Sequence, residues 1–335
     1  MSRPPLRVAI VGCGLIGRKR AEALGPEDEL IGCYDVVDSA AQGLARDYGS
    51  QACAELAELL DLGADVVVVA TVHDQLARLA SLALQAGSHV LVEKPAGIGT
   101  ADVDDVLAAA RQARRLVKVG FNHRFHQGIH KAVMQARSRE FGEIMFMRAR
   151  YGHGGRPGYD KEWRADPARS GGGEIVDQGM HLLDLSYWLL GDLPLHSSLL
   201  RTHFWDALVD DNALLVLGGP GGVGSAAPWA MLHVSWTEWK NLFSLEIYCR
   251  TAKLAVDGLV RSYGPQTLRI YRMRPELGPP DMTEESYPDV DESWQREWEH
   301  FAEAITSGDG RDLLGDLNSA RFAWARIEQA QAAGQ

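Results

Sequence analysis

The chain is 335 residues long, 46% hydrophobic and 24% charged, and its 34 Lys and Arg against 45 Asp and Glu leave a formal net charge of −11. That length and composition predict a soluble globular protein of roughly two domains, while the acidic balance argues against nucleic acid or an anionic membrane as partner. No stretch approaches the ~20 uninterrupted apolar residues of a membrane span.

The first 120 residues alternate strand and helix. The basic residues near the N-terminus, Arg3 and Arg7, precede a short apolar run with no cleavage pattern after it, so no signal peptide is expected. Leu6–Val11 is an apolar strand, followed by Gly12, Gly14 and Gly17 in G-x-G-x-x-G order and a helix from about Leu15. The first glycine permits a tight turn, the second lets the backbone approach a pyrophosphate, and the third lets helix and strand pack closely. The helix N-terminus then offers N–H groups to the phosphates. Leu30–Tyr34 is a second strand ending in Asp35, 18 residues after Gly17, where a carboxylate binds a ribose diol. An acid there repels a 2′-phosphate, and the following Val36, Val37 and Asp38 offer no cation, so NAD is expected over NADP. A helix from Asp38 to Tyr48, an apolar strand Asp65–Ala70, a helix Gln75–Ala86, a strand His89–Val92, a helix Ala101–Arg114 and a strand Val117–Gly120 complete a doubly wound parallel sheet. Glu93-Lys94-Pro95 follows one carboxyl strand end, where ligands bind in such sheets. From position alone Lys94 is equally a solvated loop lysine or a catalytic one. The four cysteines (Cys13, Cys33, Cys53, Cys249) show no metal-ligand or redox spacing and read as buried thiols of a cytoplasmic protein.

Composition changes after residue 120: all nine tryptophans lie at or beyond Trp163. A helix is predicted over His126–Arg139. Strands are predicted at Glu143–Tyr151, Leu199–Trp205, Asn212–Leu217, Trp229–Glu238, Phe243–Cys249, Lys253–Val256 and Thr267–Met273, many of alternating polarity, as in a sheet packed on one face. Gly218–Pro228 reads as a flexible connector and Arg274–Pro288 as a surface loop. Ser170–Gly191 (SGGGEIVDQGMHLLDLSYWLLG) reads as one apolar helix opened by glycines and closed by Gly191. In it Asp177, His181 and Asp184 fall at spacings of four and three and share a face. A titratable line on a buried helix points to a reaction centre. Trp294, Trp298, Phe301 and Ile305, then Leu317, Ala320, Trp324 and Ile327, read as core stripes of two C-terminal helices. His126 and His130 share a helical face, but no acid or cysteine completes a set, and no metal is expected.

Together, VGCGLIG, Glu93-Lys94-Pro95, GFNHRF (Gly120–Phe125) and Asp177-x-x-x-His181 resemble the Gfo/Idh/MocA family of NAD(P)-dependent oxidoreductases, closest to its inositol dehydrogenase-like branch, over Leu6 to about Ala330. The resemblance implies an α/β chain with an N-terminal Rossmann doubly wound parallel sheet at 1–121. It implies an α+β substrate-binding and oligomerisation domain with a large open, mostly antiparallel sheet at 122–290, and C-terminal helices at 291–335 packing back on the first domain. It implies Lys94, Asp177 and His181 as the catalytic set, with a cis Lys94–Pro95 bond. The cofactor site it implies comprises Gly12, Gly14, Leu15, Ile16, Gly17, Asp35, Thr71, His73, Glu93 and Lys94, with His73 where the family has an amide. It also implies a homodimer or homotetramer whose second subunit covers the open sheet face, with exposed apolar residues such as Trp236 and Phe243 in that contact.

A secondary-alcohol dehydrogenase must hold the nicotinamide against the carbinol hydrogen, remove the hydroxyl proton and stabilise the oxygen. Histidine titrates near neutrality, so His181 is the expected base, with Asp177 orienting it and Lys94 hydrogen-bonding the reacting oxygen; Lys94 is the alternative base. Asp184 is given a supporting part. The segment before the helix supplies Tyr159, Trp163 and Arg164, which with Asn122, Arg124 and His181 are the candidate contacts of a polyhydroxylated substrate. The expected activity is hydride transfer between a nicotinamide and a secondary hydroxyl or ketone of a cyclic polyol, sugar or nucleotide sugar. An NAD-dependent glycosidase acting through transient oxidation, and a non-catalytic sugar or nucleotide sensor of the same fold, are the alternatives.

Overall fold

The structure, a computed structural model, describes residues 3–276 and 278–333. The chain divides into two compact units. One takes the residues up to Asn122 with Trp294–Arg321, the other His123–Ser293 with the residues from Phe322 onward.

In the first unit strands and helices alternate: β1 (Arg7–Val11), α1 (Leu15–Glu22), β2 (Glu29–Tyr34), α2 (Asp38–Tyr48), β3 (Gln51–Ala52), α3 (Leu56–Asp61), β4 (Val66–Val69), α4 (His73–Gln85), β5 (His89–Val92), α5 (Thr100–Ala113) and β6 (Val117–Val119). Among the described residues the six strands form one parallel sheet in the order β3-β2-β1-β4-β5-β6. That order puts the strand-order reversal between β1 and β4, so their carboxyl ends border the crevice where dinucleotides bind. The four valines of β4 are all buried, as a central strand covered on both faces requires. The short β3 and α3 carried too little apolar periodicity to be located from sequence. The helix carrying Trp298 and Phe301, residues Ser293–Ser307, joins this unit's core beside Val8, Ile10, Leu30 and Val68. Each large side chain so buried contributes about 1.5–3 kcal/mol, and Trp298 Nε1 donates to Asp28 Oδ2 at 2.7 Å.

The second unit contains α6 (Gln127–Arg137), β7 (Ile144–Gly152), α7 (Pro167–Ser170), α8 (Glu174–Asp177), α9 (Gly179–Leu190), β8 (Leu195–Arg201), β9 (Asn212–Leu217), β10 (Trp229–Ser235), β11 (Leu242–Cys249), β12 (Ala252–Asp257), β13 (Thr267–Arg272) and β14 (Asp281–Ser286). Its eight described strands run in the order β14-β13-β12-β11-β7-β10-β9-β8. Only the β7–β10 pairing is parallel. The helices α6 and α9 pack on one face, α6 over β11 to β13 and α9 over β7 and β10. The remaining helices are α10, the Ser293–Ser307 helix, and α11 (Leu317–Ala333), which the boundary between the units crosses. No helix among the described residues is long and apolar enough to cross a membrane.

Four expectations need correction. Trp236 and Phe243, expected as exposed interface residues, are each 1% exposed and belong to this unit's interior. The segment expected as a loop at Arg274–Pro288 contains β14, whose residues are all exposed; a charged, fully solvated edge strand lacks the alternation by which strands are recognised. The strand expected at Leu199–Trp205 is β8, ending at Arg201, because the buried Asp211 carboxylate draws the backbone N–H groups of His203, Phe204 and Trp205 out of the ladder at 2.8–3.1 Å. In place of the single helix expected over Ser170–Gly191, two helices, α8 and α9, follow the end of α7 at Ser170. The carboxylate of Asp210 accepts the N–H groups of Gly173 (3.1 Å) and Ile175 (2.8 Å), and its carbonyl accepts that of Glu174 (2.9 Å), so a separate short helix starts there. A Cβ on Gly173 would lie 1.9 Å from that carbonyl oxygen, which is why glycine precedes α8.

Candidate functional site

The glycine turn of the first unit has the shape its spacing predicts. Gly12 has φ +95°, and a Cβ there would lie 2.4 Å from the oxygen of Ala70; one on Gly17 would lie 1.9 Å from the oxygen of Gly12. A Cβ on Gly14, the N-cap of α1, would meet nothing within 4 Å. Two glycines therefore close the turn, and the third leaves open space at a helix N-terminus, which is what an approaching pyrophosphate needs. Asp35 is held rigidly at the end of β2, its Oδ2 accepting Cys13 N–H at 2.7 Å and its Oδ1 accepting Val37 N–H at 2.9 Å. Leu15, Val36 and Val37 are exposed, and Ile16 is half-buried on α1. Thr71 follows β4, and His73 starts α4 with 5% exposure. These residues fit a dinucleotide.

Lys94 follows β5 in the same unit, half-buried, and its bond to Pro95 is cis, as the resemblance implied. Ala96 N–H closes the turn on the carbonyl of Glu93 at 2.9 Å, with Ala96 in the left-handed region at φ +66°. Such conformations persist only where surroundings enforce them. Here Glu93 is anchored by the buried Arg20, which donates from Nε to Glu93 Oε1 and from Nη1 to Glu297 Oε2, each at 2.6 Å, under the ring of Trp294.

In the second unit the line of Asp177, His181 and Asp184 separates into three environments. Asp184 is 1% exposed and takes Arg124 Nε at 2.8 Å and Nη2 at 2.5 Å, with the guanidinium over Trp188. Arg124, expected at the substrate, is thus placed in a buried ion pair. His181 is 6% exposed, and its ring stacks on that of His123, centroids 3.9 Å apart and 27° between planes. Asp177 ends α8 and has Tyr159 Oη at 3.4 Å and Arg164 Nε at 3.6 Å. Arg164 also lies over Trp163, so Tyr159, Trp163 and Arg164 do gather around Asp177. Asn122, 6% exposed, closes the first unit's main segment.

Further residues join this cluster. His153, Glu174 and Asp177 each bring one ligand atom within 4.8 Å of the others, a set that could hold a metal and that is distinct from the histidines weighed from sequence. Tyr263 accepts from Gln178 Nε2 at 3.1 Å, and burial, with the Glu174 and Asp177 charges adding, pushes its phenol up to about 12. Burial first and Asp177 next hold the Tyr159 phenol far above its usual range, so both tyrosines are neutral hydroxyls. Glu174, an acid one turn before Asp177 in an apolar stretch, was a legible signal. His153 and Tyr263 come from distant segments and gave none. The cluster offers hydroxyl, carboxylate, imidazole and guanidinium groups, suited to a polyhydroxylated ligand and to moving a proton.

Residues 6–121 match the Gfo/Idh/MocA oxidoreductase family, NAD-binding Rossmann fold, and residues 129–255 match the family's C-terminal domain. The chain is 31% identical over 201 residues to a D-glucoside 3-dehydrogenase of Escherichia coli (strain K12), spanning 57% of this chain and only about half, 56%, of that relative. It is 30% identical over 323 residues to a dTDP-3,4-didehydro-2,6-dideoxy-alpha-D-glucose 3-reductase of Streptomyces violaceoruber, covering 92% of this chain and 88% of the other. Its fold resembles that of a levoglucosan dehydrogenase solved with NADH and levoglucosan, with a TM-score of 0.84 over 99% of this chain and 98% of the other at 17% identity. With both domains matched and a relative aligned over nearly its full length, the chain belongs to the Gfo/Idh/MocA family of oxidoreductases.

Proposed function

We propose that the protein is an NAD-dependent dehydrogenase or ketoreductase acting on a secondary hydroxyl or ketone of a sugar, glycoside, nucleotide sugar or cyclic polyol. The observation that carries this reading is Lys94 at the carboxyl end of β5, in the unit that holds the open glycine turn. The relatives named above, which act on sugar hydroxyls or ketones, support the substrate class. The fixed carboxylate of Asp35 and the absence of a cation at Val36–Asp38 favour NAD, whose ribose diol it accepts.

The glycine turn and Asp35 would hold the dinucleotide, whose nicotinamide would supply the acceptor or donor of the hydride. The Lys94 ammonium donates to the reacting oxygen and favours its negative charge. His181 takes the hydroxyl proton, its ring kept from turning by His123. Asp177 orients the imidazole and stabilises its charged form. Trp163 supplies an apolar wall, and Arg164 and Tyr159 supply donors for ring hydroxyls. The face of the eight-stranded sheet away from α6 and α9 carries the ring stack Trp229–Phe146–Tyr248 at 4.8 and 4.3 Å, and a second copy of the chain covers it in a homodimer or homotetramer.

Thermal melts test the cofactor: NAD raises the melting temperature more than NADP at equal concentration. Absorbance of NADH then reports turnover across a panel of glycosides, sugars and inositols. A protein that binds neither nucleotide, or reduces NAD with no member of the panel, contradicts the reading.

A further inference from the structure

His153 lies just past β7, and two contacts fix its ring. Its Nδ1 accepts the N–H of Gly155 at 2.9 Å, and its plane stands edge-on to Tyr159 at 90°, centroids 5.5 Å apart. Its backbone N–H is tied to Ser235 O at 3.0 Å. A ring nitrogen that accepts an N–H carries no proton, so the neutral imidazole keeps its hydrogen on Nε2 and is a one-hydrogen donor. One ring nitrogen of His153 and one carboxylate oxygen each of Glu174 and Asp177 lie within 4.8 Å of one another, and Glu174 is 0% exposed. Two carboxylates this close repel, and donors between them offset that repulsion. Around Asp177 those donors are Tyr159 Oη and Arg164 Nε.

We propose that His153 is a positioning residue: its Nε2–H donates to the Asp177 carboxylate and holds it in the orientation in which it serves His181. The consequence for catalysis rests on the dehydrogenase reading. A divalent cation on the same three residues fits less well. It would need the Nε2 lone pair, driving the ring proton onto Nδ1 against the Gly155 N–H, and it would sit beside the Arg164 guanidinium.

Two side chains separate the roles of the two nitrogens. Glutamine at 153 places an amide N–H near the Nε2 position, whereas asparagine reaches only the Nδ1 position. His153→Gln is expected to keep kcat within about 3-fold of the parent, and His153→Asn to lower it about 10- to 100-fold with KM within about 2-fold, both folding to similar melting temperatures. Equal loss in both variants, or none in either, overturns the positioning role. A second measurement needs no substrate. The imidazole nitrogen spectrum of protein labelled with 15N-histidine, its His153 signals identified by their loss in His153→Gln, is expected to show a neutral ring protonated on Nε2 at neutral pH, shifted by Asp177→Asn and unaffected by Zn2+ or Mn2+ after chelator treatment. A ring protonated on Nδ1 or on both nitrogens, or signals moved by either metal, overturns the proposal. Because this spectrum reads the ring whether or not the protein turns over a sugar, its outcome is separable from failure of the dehydrogenase reading.

Discussion

The sharpest perturbation is of Arg124 and Asp184. Sequence position made Arg124 a candidate for the substrate; the structure places it 4% exposed, in two bonds of 2.8 and 2.5 Å to a carboxylate that is 1% exposed. Removing one member of a buried pair leaves an uncompensated charge and costs about 3–5 kcal/mol, whereas replacing both with well-packed apolar groups is often neutral or stabilising. For a unit of this size each kcal/mol lowers the melting temperature by about 2–4 °C, so Arg124→Met or Asp184→Leu alone should lower it by roughly 6–20 °C. The double substitution should recover most of that loss. Circular-dichroism melts of the three variants and the parent give the cycle directly. If Arg124→Met melts within about 2 °C of the parent while KM for a sugar rises sharply, the buried-pair account is wrong and Arg124 is a substrate ligand after all.

The remaining expectations concern acid stability, the cofactor and the turn. Burial pushes the His126 imidazolium down to about 4 from 6.5, only partly offset by Asp291. The unfolded chain therefore takes up a proton that the folded chain refuses: the stability is fully present above pH 6.5 and is lost as pH falls towards 4, by up to about 3 kcal/mol. Burial also holds Asp210 up at about 6 from 3.8, and its stability is lost as pH rises through that window, so the two slopes oppose. Urea denaturation of the parent and His126→Asn between pH 4 and 7 isolates the histidine, and parallel stability curves would refute its part. Asp35→Ser should weaken NAD about 10- to 100-fold and narrow the gap to NADP, read by fluorescence titration of the reduced nucleotides; an unchanged preference would mean that Asp35 does not select the ribose. Gly17→Ala forces a Cβ to within 1.9 Å of Gly12 O and should cost about 1–3 kcal/mol and abolish the NAD-induced rise in melting temperature. A normal rise would show that the turn is not where the nucleotide binds.

Much of this was legible in the residues because the physics was local. The glycine turn, Asp35 and the apolar β4 each follow from short-range sterics or burial, and the resemblance supplied the cis bond at Lys94–Pro95 and the family. The start of α8 is not legible in sequence because it depends on Asp210, whose carboxylate arrives from 35 residues away. Periodicity put Asp177, His181 and Asp184 on one line and could not reveal that Asp184 answers Arg124, 60 residues earlier. His153 escaped for the same reason: its partners are assembled by the sheet rather than by neighbours in sequence. The burial of Trp236 and Phe243 is not legible because alternation alone does not say which face of a strand is covered.

The central claim is that hydride passes between a nicotinamide and a ring carbon of a sugar or cyclic polyol. Its most direct test incubates the protein with NAD and substrates deuterated at the candidate carbinol positions, with mass spectrometry of the reduced nucleotide. Deuterium should appear at the nicotinamide C4 of NADH from one substrate position, and Lys94→Met and His181→Asn should suppress it by at least about 100-fold. Glycoside cleavage without net NADH, deuterium transfer unaffected by either substitution, or no transfer from any sugar or polyol while NAD binds normally would contradict the account.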